Sequence, residues 1–117
     1  MAENVSSARP RSVKPKGKVV VQLRFSGETL GCLIKEVSQH HIQGVIKRSE
    51  HIPGILDLAV IDIEAAGDVS RLNGFIHTLQ AREDSRETEF VNIDIRLVDQ
   101  DDSEKMDHLQ RFMNSIA

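Results

Sequence analysis

Apolar and polar residues alternate with a period of two along most of this chain, and only near its end does the period become that of a helix. Val19, Val21, Leu23 and Phe25 alternate with Val20, Gln22 and Arg24, the pattern of a strand with one face in a core and one in water. Ser26, Gly27 and Glu28 read as a tight turn. A second strand over 29–37 places Leu30, Cys32 and Ile34 on one face, so the two strands form a hairpin. A shorter strand follows over 42–47, then a loop through Ser49, His51, Pro53 and Gly54. The most apolar strand is expected at 55–63, with Leu56, Leu58 and Val60 on one side, Ile55, Ala59, Ile61 and Ile63 on the other, and both faces covered. After a turn at 65–68 the pattern predicts a strand over 69–81, a charged hairpin tip at 82–87 and a last strand over 90–98. There Val91, Ile93, Ile95 and Leu97 alternate cleanly with Asn92, Asp94 and Arg96.

The period changes at 103–116. The acidic stretch 99–102 suits the positive end of a helix dipole, and Met106, Leu109, Phe112, Met113 and Ile116 fall on one apolar stripe able to cap an open barrel end. Six short antiparallel strands followed by one helix imply an all-β fold, a small barrel or rolled sheet, because closure removes strand edges that would otherwise aggregate.

Composition agrees with a single domain of 117 residues, near the usual domain length of about 100 to 150 residues. With four Phe and neither Trp nor Tyr, the core has to be built from Val, Ile and Leu, which favour a sheet. Cys32 is the only cysteine, so an intrachain disulfide framework and a multi-thiolate metal site are both excluded; inside its apolar run it reads as a small buried hydrophobe. No apolar window approaches the roughly 18 residues a membrane helix needs, which predicts a soluble, cytoplasmic protein with no membrane insertion.

Charge divides the chain in two. Residues 1–18 hold five Lys or Arg against one Glu, a balance of +4, and the rest holds ten against seventeen, a balance of −7. Residues 1–17 are therefore read as a basic, flexible arm without periodicity, and 18–117 as the barrel with its helix. Such an arm can fold back on the acidic body, bind a phosphate ligand or reach a partner.

Catalytic motifs are missing: there is no glycine-rich phosphate loop, nucleophile elbow, zinc-protease signature or paired metal-ligand spacing. Ser38 beside His40 lacks an orienting acid and an oxyanion site, and the adjacent His40 and His41 would point to opposite faces of a strand and not chelate one ion. The expectation is no enzyme, no metal and no cofactor. A small barrel with a basic arm also allows a second reading, binding of RNA or single-stranded DNA through the arm. Against it stand the acidic body and the four Phe, of which periodicity assigns Phe25 and Phe112 to the core.

The order of features resembles the PilZ domain. A basic motif with Lys14 and Lys18 stands directly before the first strand, and the hairpin ends in Glu36, a spacer and Ser38. Leu72, Asn73, Gly74, Phe75 and Ile76 resemble a glycine-bearing mid-strand, and residues 90–97 with the terminal helix ending Leu109, Gln110, Arg111, Phe112 resemble the last strand and helix of that family. The resemblance covers roughly residues 14–116 and implies a six-stranded antiparallel PilZ-like β-barrel with one C-terminal α-helix. It implies a non-catalytic bacterial module of cyclic di-GMP signalling that works as a receptor or adaptor by contact with a protein partner. The family holds cyclic di-GMP by Arg-x-x-x-Arg and Asp/Asn-x-Ser-x-x-Gly motifs, because guanidinium forks grip phosphates and stack on guanine while a carboxylate and a hydroxyl reach guanine edges. Carried over, Lys14 and Lys18 take the places of the arginines, Glu36 that of the acid, Ser38 is retained, and His41 stands where glycine is expected. Lysine offers a point charge and not a stacking fork, and histidine adds a steric cost if the position needs a positive φ or a close approach of the ligand, so cyclic di-GMP binding is expected to be weakened or lost. Arg9 and Arg11 could substitute for the lysines if the arm folds back, and Gly44 could supply flexibility three residues late.

Overall fold

The computed structural model describes residues 12–48, 52–81 and 90–117. Arg9, Arg11, Ser49, His51 and the charged tip at 82–87 lie outside the described residues. Six antiparallel strands, β1 (Val20–Phe25), β2 (Glu28–Val37), β3 (His41–Lys47), β4 (Leu58–Ala65), β5 (Asp68–Ala81) and β6 (Phe90–Leu97), close into a barrel in the order β1-β2-β3-β6-β5-β4, and α1 (Ser103–Ile116) follows. The fold class expected from the alternation is the one observed.

Inward-facing residues come from the apolar phase of each strand: Val21, Leu23 and Phe25 on β1, Cys32, Ile34 and Val37 on β2, Ala59, Ile61 and Ile63 on β4, and Val91, Ile93, Ile95 and Leu97 on β6. Helix α1 packs on β4 and β5 and buries Met106, Leu109, Phe112 and Met113, with Ile116 partly buried, so the stripe closes one end of the barrel. His108 is buried beside that stripe, a position the apolar pattern did not mark. Asp102 caps the helix by accepting the Lys105 N–H at 3.1 Å. Asp99 ties the approach to the barrel, accepting the Asn73 N–H at 2.7 Å and lying 3.1 Å from Lys105 Nζ. Cys32 is fully buried, and that burial pushes its thiol up to about 12. Among the described residues no helix is long and apolar enough to cross a membrane.

One strand departs from expectation. The segment 55–63 does not form a strand covered on both faces: β4 starts only at Leu58, and Ile55 and Leu56 lie in the loop before it. Ala59, Ile61 and Ile63 are buried, whereas Leu58, with Leu56 ahead of it, is exposed and Val60 half-buried. The reason lies in the closed barrel: each strand has one face inside, and α1 covers the end of the barrel and not the outer face of β4.

Candidate functional site

The basic arm meets the barrel at the end of β2. Val13 N–H donates to the Val37 carbonyl at 2.8 Å, and Val37 N–H donates back at 3.0 Å, an isolated antiparallel bridge. Three residues on, Lys16 N–H donates to the Ile116 carbonyl at 3.2 Å, satisfying one of the acceptors that a helix C-terminus leaves open. Residues 13–16 thus stretch from β2 to the end of α1, and Lys14 runs alongside the end of β2 that carries Glu36 and leads into Ser38. The Lys14 and Lys18 side chains are exposed and form no ion pair among the described residues.

Glu36 is half-buried on β2, paired with Gln43 just past an irregularity between Ile34 and Glu36. Ser38 is buried in the turn between β2 and β3. Its Oγ accepts the N–H of His40 at 3.1 Å and of His41 at 3.2 Å, and its own N–H donates to the His41 carbonyl at 2.9 Å. The neighbour of the Ser38 hydroxyl is therefore the His40 backbone, not an imidazole. A nucleophilic Ser38–His40 pair has no geometric basis here.

His41 opens β3 and is half-buried. It is not among the residues at positive φ, so the steric cost expected from a glycine-type backbone does not arise. Gly44 does not supply flexibility either. A Cβ built on it would stand 2.5 Å from Cys32 Sγ and 2.6 Å from the Leu33 carbonyl oxygen, so glycine is required there for β2 and β3 to approach.

The register joins His41 to Asp94 and Arg96 on the wet face of β6 and to His77 of β5. Asp94 on β6 lies 3.8 Å (Oδ1) from His41 Nδ1, 3.3 Å (Oδ2) from His77 Nδ1 and 3.6 Å (Oδ2) from Arg96 Nε. Asp94 Oδ1 and Arg96 Nε are buried without a hydrogen-bond partner. Outward positions of β6 were legible from alternation. That His41 of β3 and His77 of β5 flank Asp94 depends on strand pairing, for which the sequence carries no local signal.

Two shallow depressions open on this face. One, of about 250 Å³, is floored by Gly44 and Ile93 and edged by Lys35, Gln43, Thr78 and Asp94 among others. The other is lined by His40, Phe75, His77, Arg96, Leu97 and Gln100. The arrangement offers hydrogen-bond donors and acceptors and one carboxylate enclosed by cationic or protonatable groups. Phe25 and Phe112 are core residues, which leaves Phe75 and Phe90 as the phenylalanines with exposed surface.

No protein-family model matches the sequence, and no curated protein matches it. Among solved structures, the barrel is similar to the Bacillus subtilis inhibitor of motility MotI/DgrA, a PilZ-domain protein, with a TM-score of 0.57 and 14% sequence identity over 92% of this chain and 51% of that one. The chain thus spans about half the length of the protein it matches. At this identity the likeness speaks to the fold, and the fold of this chain is PilZ-like.

Proposed function

We propose that this chain is a non-catalytic, PilZ-like bacterial signalling module of the cytoplasm that acts as a receptor or adaptor in a cyclic di-GMP pathway through protein contacts, with its own cyclic di-GMP binding weakened or lost. The observation that carries the reading is the Val13–Val37 bridge, which sets the basic arm beside Glu36 and Ser38 on a PilZ-like barrel. The likeness to a protein named as an inhibitor of motility supports regulation by contact.

The weakening follows from chemistry at the same place. Lys14 and Lys18 provide point charges where planar guanidinium forks would both pair and stack. Ser38 Oγ already accepts two backbone N–H groups, so toward a ligand it is left mainly as a donor. His41 leans toward Asp94 and fills space that a glycine would leave open. Each such change costs about 1 to 3 kcal/mol of binding, and every ~1.4 kcal/mol is a factor of ten in affinity.

Calorimetric titration with cyclic di-GMP tests the reading. Weak or absent heat is expected. Tight stoichiometric binding that disappears in Lys14→Ala and Lys18→Ala would replace the adaptor by an intact receptor.

A further inference from the structure

Four lysines gather where the arm crosses the barrel. Lys14, Lys16 and Lys18 are exposed on the segment that leads into β1, and Lys35 is exposed on β2. The Ile34 N–H donates to the Val19 carbonyl at 2.8 Å, and continuing that antiparallel register by one residue sets Lys18 across from Lys35. Like charges in facing positions of neighbouring strands repel. Among the described residues none of the four lysines forms an ion pair.

Neighbouring side chains do not cancel this charge. Glu36 shares the same stretch of β2 and is half-buried, and Glu64 of β4 lies across the groove beyond Val19 and Val20. The last turn of α1, which meets the arm through the Lys16–Ile116 hydrogen bond, carries no charged side chain. Four lysines against two carboxylate side chains leave a balance of +2. The backbone that presents them is fastened: Val13 exchanges two hydrogen bonds with Val37, Lys16 N–H donates to the Ile116 carbonyl, and Val13 and Val19 are partly buried against the core. A binder therefore does not have to order the chain beneath the lysines.

We infer that Lys14, Lys16, Lys18 and Lys35 form a docking ridge for a short acidic segment of a partner protein, whose carboxylates meet the four ammonium groups. Charge selects this occupant. Residues 19–117 hold ten Lys or Arg against seventeen Asp or Glu, a balance of −7. An extended polyanion such as duplex DNA or an anionic bilayer, laid over the ridge, also faces that acidic body, whereas a short segment meets the ridge alone. The phenylalanines lie in the core or on β5 and β6, so no ring stands among the lysines to stack a base. The inference rests on the reading of the chain as a module that works by protein contact, and it names the surface and the chemistry of the partner.

Fluorescence anisotropy on the purified full chain tests it, with a labelled peptide rich in Glu and Asp as the probe and with duplex DNA and phosphatidylserine vesicles as competitors. The expected result is peptide binding that weakens as salt rises and that neither competitor displaces at equal charge. Binding is expected to be about 3- to 10-fold weaker in each of Lys14→Glu, Lys16→Glu, Lys18→Glu and Lys35→Glu, and unchanged in Lys47→Glu at the opposite end of β3. Amide NMR spectra confirm that each variant keeps the barrel, and the peptide is expected to shift the amides of residues 13–18 and 34–36. No binding at low salt, equal binding to the four variants, or preference for DNA or vesicles overturns the inference. If cyclic di-GMP also gives weak or absent heat, the functional reading then survives with its contact elsewhere on the barrel. Tight cyclic di-GMP binding overturns that reading itself, and the inference falls with it.

Discussion

Ser38 Oγ accepts the backbone N–H of His41 at 3.2 Å, so the hydroxyl of the ligand-type motif is part of the turn that carries the motif. Ser38 is only 6% exposed and also holds the His40 N–H. Ser38→Ala leaves both donors short of a partner and is expected to cost about 1 to 3 kcal/mol of stability. Urea denaturation followed by far-UV circular dichroism measures it. Lys14→Ala and Lys18→Ala, at exposed side chains, are expected to stay within about 0.5 kcal/mol of the parent. A binding defect in the lysine variants thus reports on ligand contact, whereas one in Ser38→Ala reports on the turn as well.

Two glycines are irreplaceable for packing reasons. Gly44→Ala puts a methyl group 2.5 Å from Cys32 Sγ, and Gly74→Ala puts one 2.5 Å from the Arg96 carbonyl oxygen. Each is expected to lower stability by about 1 to 3 kcal/mol, as overpacking that the backbone has to yield to. Gly17→Ala, which meets nothing within 4 Å, serves as the control in the same denaturation series.

Leu56→Gly is expected to behave in the opposite way. Relief of the left-handed strain and loss of an exposed side chain leave stability unchanged or raised, within about 1 kcal/mol of the parent. A clear loss of stability in thermal unfolding would mean that Leu56 has a structural role that its exposure does not suggest.

Asp99 gives the fold an acid-sensitive link. Burial raises its carboxyl pKa, but the Asn73 N–H and the Lys105 ammonium outweigh that and hold it below the ordinary carboxylate value. With the folded pKa depressed, the stabilisation is complete above the unfolded value of about 4 and is lost as the pH falls from there through the folded value. Asp99→Asn keeps an acceptor for the Asn73 N–H but gives up the ion pair. It is expected to be less stable than the parent at neutral pH and to lose less stability on acidification, as read from urea midpoints measured across the acid range.

The strands were legible from alternation because side chains in an extended chain alternate faces by local geometry, and nothing distant is needed to see it. Five of the six strands match that expectation to within a residue or two. The exception, 55–63, was apolar in both phases, and apolar content alone does not distinguish a face buried by the fold from one reserved for contact with something else. Of the candidate site, the order Lys14, Glu36, Ser38 was visible along the chain, while the cluster at Asp94 was not.

By itself the sequence determined the number of strands, the inward phase of β1, β2 and β6 and the stripe by which α1 closes the barrel. Only the tertiary structure decided what stands beside what. The bridge from Val13 to Val37 brings the arm to the motif turn, Gly44 is pressed against Cys32, and the row Leu58, Phe75, Arg96, His41 joins four strands. The physical reason is that facing depends on local backbone geometry, whereas neighbourhood depends on the register in which the closing strands pair. At Glu36, Ser38 and His41, the residue types pointed to a ligand motif, and the pairing of β2, β3 and β6 revealed that Ser38 and His41 are also bound into the fold.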